Sequence, residues 1–108
     1  MKTFKKTNKS LDGTYYQKTI NISYQNLVEI FGKPNGQTDK YKTTMEWDLE
    51  NEKGNVVSIY DYKMTSLYDK LYPAPKEFKN DKAIDFRIGG FETDVADALY
   101  KYIESKIQ

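Results

Sequence analysis

The 108-residue chain contains no cysteine and no histidine. Without cysteine there is no disulfide, no thiolate metal site and no thiol nucleophile. Without histidine the commonest general base and the commonest transition-metal ligand are gone. Carboxylate pairs, Lys, Tyr, Ser and Thr are what remain for any catalytic role. Arginine occurs once, at Arg87, and tryptophan once, at Trp47. No window approaches the roughly 20 apolar residues of a membrane span, and Met1–Lys6 runs into the polar Thr7-Asn8-Lys9-Ser10 instead of an apolar signal segment. The expectation is a protein of the cytoplasm with no membrane partner. A formal net charge of +1 with 31% charged residues marks neither a polyanion nor a strongly basic nucleic-acid binder.

What the chain does hold is tyrosine, ten in all, and one legible stretch from Lys40 to Lys63. Tyr41, Thr43, Met45, Trp47 and Leu49 alternate with Lys42, Thr44, Glu46, Asp48 and Glu50, the period of a half-buried strand. Asn51-Glu52-Lys53-Gly54 supplies a turn, with Gly54 at positive φ, and Val56–Tyr62 is β-branched and aromatic enough to return as the second strand of a hairpin. A two-stranded ribbon is marginal in water, so other elements must cover its apolar face.

The flanks provide them. Met1–Gly13, with four lysines and few apolar side chains, reads as a flexible basic arm. Thr14–Ile22 is β-prone, with its two faces unassigned. Ser23 is an N-cap, Tyr24, Leu27, Val28 and Phe31 make a helical stripe, and Gly32 and Pro34 end that helix. Met64–Lys82 lacks a period and holds Pro73 and Pro75, a connection long enough to suggest function, with one helical turn at Ser66–Leu71. Ile84, Phe86 and Ile88 alternate with Asp85 and Arg87 as a further core strand stopped by Gly89-Gly90. A final helix opens at Glu92 or Thr93 with Val95, Ala96, Leu99, Tyr102, Ile103 and Ile107 as its stripe. The expected fold is α+β: one domain over 14–108, with a small antiparallel sheet of three to four strands in the order β-α-β-β-β-α, covered on one face by two helices.

Little of this carries chemistry. Glu46, Asp48 and Glu50 share the wet face of one strand, and Asp61 or Asp85 could join them around a divalent cation, but no calcium-loop or other metal-binding spacing accompanies them. A solvated sheet face explains them, and no metal or cofactor is expected. Gly89-Gly90 before a helix could offer N–H groups to a phosphate, yet no GxGxxG or P-loop surrounds it. With Val57 and Ile59 inward, Tyr60 and Tyr62 point outward alongside Arg87. Such an open face suits either stacked single-strand bases or a protein interface.

Four blocks, SYQNLVEIFGKP at Ser23–Pro34, MEWDLENEKGNVVSIYDYK at Met45–Lys63, FRIGGF at Phe86–Phe91 and the closing helix, together resemble a family of small tailed-bacteriophage proteins. In that family Trp is commoner at the position of Phe86, and the Met64–Lys82 segment is an insertion. The resemblance implies no enzymatic activity. It points to a phage-encoded inhibitor of a host defence protein or ribonucleoprotein complex, in the manner of an anti-CRISPR. On that reading Tyr68, Tyr72, Lys76 and Phe78 are the expected partner contacts, with Tyr60, Tyr62 and Arg87 as a second patch. The alternative is a single-strand nucleic-acid-binding accessory protein of phage replication, in which the basic arm adds phosphate contacts.

Overall fold

The computed structural model describes residues 3–36, 45–61 and 83–107, apart from the side chain of Ile84. Its elements in order are β1 (Phe4–Lys6), β2 (Tyr15–Ser23), α1 (Tyr24–Phe31), β3 (Glu46–Asn51), β4 (Val56–Tyr60), β5 (Ala83–Gly90) and α2 (Thr93–Lys106). The strands form one five-stranded sheet in the spatial order β1-β3-β4-β5-β2, with every neighbouring pair antiparallel. The fold is therefore α+β, with one strand more than the sequence leads one to expect.

The hairpin forms as its alternation dictates. Trp47 lies opposite Ile59 and Leu49 opposite Val57, all four fully buried. Asn51 and Asn55 clamp the turn: Asn51 N–H donates to the Asn55 carbonyl at 3.0 Å and Asn55 N–H to Asn51 Oδ1 at 2.8 Å. Gly54 takes φ 83, a left-handed conformation that glycine adopts without cost. On the next strand Phe86 and Ile88 extend the same apolar face, and the Trp47 and Phe86 rings meet edge-on at 5.9 Å. Both helices pack their stripes into this layer, α1 through Leu27 and α2 through Val95, Ala96, Leu99 and Ile103. Ile107 does not join them: it lies beyond the end of α2 and is exposed, because the stripe is already complete at Ile103.

The caps of α1 are those its sequence announces. Ser23 Oγ accepts from Asn26 N–H at 3.0 Å, and Gly32, at φ 84, donates its N–H to the Val28 carbonyl at 2.7 Å. The Gly32 carbonyl then takes a hydrogen bond from Trp47 Nε1 at 2.8 Å, which fixes the indole beneath the end of the helix. That bond satisfies the one polar atom of the largest core side chain.

Two expectations need correction. The basic stretch expected to be a loose arm enters the sheet: Phe4 is buried, Lys5 pairs with Glu50 and Lys6 with Leu49. A three-residue edge strand needs only one inward apolar side chain, so it leaves no periodic trace in the sequence. Gly89 and Gly90 do not stop β5; they are its last two residues, paired with Ser58 and Val57 on one side and with Tyr16 and Tyr15 on the other. Held inside a ladder, they form no phosphate loop. Gly89 is needed for space, since a Cβ there would stand 3.1 Å from the Tyr60 ring and 3.2 Å from Ser58 Oγ. β2 pairs with β5, whose other neighbour is the hairpin strand β4, and so forms the far edge of the sheet.

Candidate functional site

The helices cover one face of the sheet, and the opposite face carries the candidate functional groups. Two strand sets supply them. From β3 come Glu46, Asp48 and Glu50, and from β4, β5 and β2 come Ser58, Tyr60, Arg87, Thr19 and Tyr16. Because β1 and β2 occupy opposite edges and run parallel, the 7–14 connection must cross the sheet, and the groove it shares with Glu46 and Asp48 and the Lys9–Glu50 contact put it on this face, where an acidic half on β3 and an aromatic half on β5 and β2 can be told apart.

The first half is acidic and is closed by the chain itself. β1 reaches only as far as Leu49, and beyond it the outer edge of β3 is completed by Thr7 and by the turn that follows α1. Thr7 N–H donates to the Asp48 carbonyl at 2.9 Å, and Asn35 and Gly36 N–H groups donate to the Glu46 carbonyl at 3.1 and 2.9 Å. The Asn35 side chain imitates a missing strand residue. Its Nδ2 donates to the Asp48 carbonyl at 3.1 Å and to the Thr7 carbonyl at 3.2 Å, and its Oδ1 accepts from Asp48 N–H at 3.0 Å. Edge-strand polar groups that would otherwise face water are thereby paired.

Above them lies a groove of about 590 Å³ whose lining includes Thr7, Lys9, Ser10, Asn35, Glu46 and Asp48. Lys9 is committed elsewhere, with its Nζ 3.0 Å from Glu50 and 3.2 Å from the Gly54 carbonyl. That ammonium holds the Glu50 carboxyl below the usual carboxylate range. Glu46 has the opposite fate: burial, then the neighbouring Asp48 and the more distant Asp61, push it up to about 8. Among the described residues no group of three His, Cys, Asp or Glu side chains is arranged to hold a metal ion. The carboxylates on which a divalent cluster would have drawn are thus dispersed: Glu50 faces Lys9, and Asp85 accepts from Asn21 Nδ2 at 2.9 Å.

The second half is aromatic. A register shift between Tyr16 and Lys18 places Tyr16 opposite Gly89 while Lys18 lies opposite Ile88. The bulge breaks the alternation of β2, so Lys18 turns toward α2 and reaches Asp97 at 3.0 Å, while Tyr16 joins the open face. There the Arg87 guanidinium lies 5.1 Å from the Tyr16 ring centre, within cation–π range. Tyr60 is the register partner of Arg87, so these two of the expected contact residues do meet. Both are half-buried and engaged. Tyr62, Tyr68, Tyr72, Lys76 and Phe78, and the Ser66–Leu71 turn, lie outside the described residues.

At the same end of β2 and β5 are three rings that the sequence reading did not single out; Tyr16 faces this side, while Tyr15, opposite Gly90, points to the other. Tyr15 is 62% exposed, Tyr16 48% and Phe91 48%. Tyr15 Oη donates to the Phe91 carbonyl at 3.4 Å, and the Phe91 ring rests against Gly13. Gly13 has φ 89, which lets the crossing segment bend into β2 at this corner. Only the bulge brings Tyr16 here, and a bulge leaves no mark in the apolar–polar pattern.

No described helix is long and apolar enough to cross a membrane. No family model matches the chain. The arylsulfate sulfotransferase AssT of Escherichia coli O6:H1 is 29% identical to it over 93 residues, 77% of this chain. The chain spans 16% of that protein's length.

Proposed function

We propose that the chain is a non-enzymatic binding protein that docks onto another protein through the aromatic corner of its open face. The observation that carries this is the exposure of Tyr16 on the open face, its ring against Arg87 and next to Tyr60, at a corner where Tyr15 and Phe91 are also exposed. An exposed ring backed by an arginine on a small domain suits an interaction surface, since tyrosine and arginine are both enriched among residues that dominate protein interfaces. The likeness to the sulfotransferase adds nothing to this reading, since it is confined to 16% of that protein.

The class of partner follows from the resemblance to tailed-phage proteins. On that basis the chain is a phage-encoded inhibitor of a bacterial defence nuclease complex, acting by occupancy of a surface that the complex needs. Co-purification from cells that carry candidate defence complexes, scored beside phage plating, tests it. A stable complex that restores plating, with both lost in Tyr16→Ala, is the expected result, and neither binding nor rescue by the parent chain would overturn it.

A second reading rests on the Arg87–Tyr16 pair, which could stack a nucleic-acid base. The carboxylates of Glu50 and Asp85 share the face and repel phosphate, which favours the protein partner. Gel shifts at low ionic strength separate the two: single-stranded binding that falls with salt and is lost in Tyr16→Ala would replace the first reading.

A further inference from the structure

Glu46 and Asp48 play no part in the docking surface, yet they are held in an unusual way. Two residues apart on one strand, they point to the same side, and the Asn35–Gly36 turn lies directly over both. A Cβ on Gly36 would stand 2.7 Å from Asp48 Oδ1 and 2.9 Å from Glu46 Oε2, so the two carboxyl groups converge on one point beneath the turn, where only glycine fits. Asp48 Oδ1 is out of solvent and, among the described residues, accepts from no donor of the ordinary inventory. Glu46 Oε2 stands beside the same point, so a proton on that carboxyl would supply a donor.

We propose that the Glu46–Asp48 pair is a proton-dependent latch for the Asn35–Gly36 turn. With one proton shared between the two carboxyl groups, the turn lies flat on β3 and donates both its N–H groups to the Glu46 carbonyl. With both ionised, like charges meet in a half-buried site and the turn lifts, releasing the 7–12 crossing that Asn35 ties down through the Thr7 carbonyl. The charged and titratable groups around the pair, among the described residues, fit this assignment. Lys9, on the crossing, is spent on Glu50, and Asp12 lines the same groove with a further negative charge. From β4, Tyr60 stands opposite Glu46, and the buried Asp61 beyond it disfavours ionisation of Glu46.

The sign of the effect is fixed. A carboxyl whose value in the folded chain is raised from 4.5 to about 8 holds its proton more tightly folded than unfolded. The stability this contributes is fully present below 4.5 and is lost as pH rises toward and past 8. The working range of the latch is therefore the neutral region.

A carboxyl-carbon NMR titration of the full chain, with the Gly36 amide followed alongside, tests the latch directly. The expected result is a Glu46 midpoint above neutrality and a Gly36 amide resonance that moves with the same midpoint. Thermal unfolding across the neutral range should show the parent losing Tm as pH rises, while Glu46→Gln, which mimics the protonated form, stays level and melts above the parent at alkaline pH. If Glu46→Gln does not fold, Asp48→Asn serves, since a neutral neighbour removes part of the upward shift of Glu46, leaving that of burial, and makes the same slope shallower. A Glu46 midpoint in the ordinary carboxylate range, a Gly36 resonance that does not move, or a Glu46→Gln slope equal to the parent's would each overturn the proposal.

Discussion

The two halves of the open face come from the same alternation of the same sheet, and differ in what the chain lays over them. On the β3 side the 7–14 crossing and the Asn35–Gly36 turn cover the carboxylates, pair the strand edge and bring two acids together beneath Gly36. On the β5–β2 side the Tyr16 ring, against Arg87, remains 48% exposed, and at the same corner so do Tyr15 and Phe91 beyond the sheet face. Residue type alone points the wrong way: charged groups are expected to be wet and rings buried, and here the carboxylate oxygen is sealed and the rings are open. Coverage, set by topology, decides which half is internal machinery and which is available to a partner.

The account can be broken at its strongest point by Asn35→Ala. This removes three hydrogen bonds and leaves Asp48 N–H without its acceptor, an expected loss of about 2–3 kcal/mol. In a domain of this size that corresponds to a fall in Tm of about 10 °C or more, read by calorimetry. Next comes Gly89→Ala on the aromatic side. Its Cβ would press the Tyr60 ring and Ser58 Oγ, so a loss of about 1–2 kcal/mol by urea unfolding is expected.

A smaller effect distinguishes two acids on one strand. Glu50, lowered by Lys9, contributes stability that is present above 4.5 and is lost as pH falls through the acid range, opposite in sign to Glu46. Lys9→Ala should flatten the acid limb of a Tm-against-pH curve and leave the neutral limb unchanged. Smallest of all, Tyr16→Ala should change unfolding stability by no more than about 0.5 kcal/mol, as an exposed site does.

Much of the covered layer was legible in the sequence because burial imposes a period. Trp47, Leu49, Val57, Ile59, Phe86 and Ile88 alternate as strands must, and Ser23, Gly32 and Gly54 announce their caps and turn through chemistry that few other residues provide. The open face was less legible, for three physical reasons. β1 is too short to carry a period, so Phe4 looked like part of an arm. The bulge at Gln17 transfers Tyr16 from one face to the other, and only pairing with β5 reveals it. The sharing of a proton by Glu46 and Asp48 depends on Gly36, ten residues before Glu46, whose role is close approach and not turn conformation. The placement of Tyr60 and Arg87 on the open face was legible because both lie on strands with unbroken alternation.

The division of labour between the halves is tested most directly by one comparison at neutral pH. Parent, Tyr16→Ala and Glu46→Gln are each co-expressed with candidate defence nuclease complexes, the co-purified complex is quantified, and each free variant is melted. Truncation of an interface anchor costs about 2 kcal/mol or more of binding, roughly thirtyfold in affinity. Tyr16→Ala should therefore lose the complex at unchanged Tm, while Glu46→Gln keeps it. Retention of the complex by Tyr16→Ala together with its loss in Glu46→Gln would place the interface on the acidic half and contradict the account.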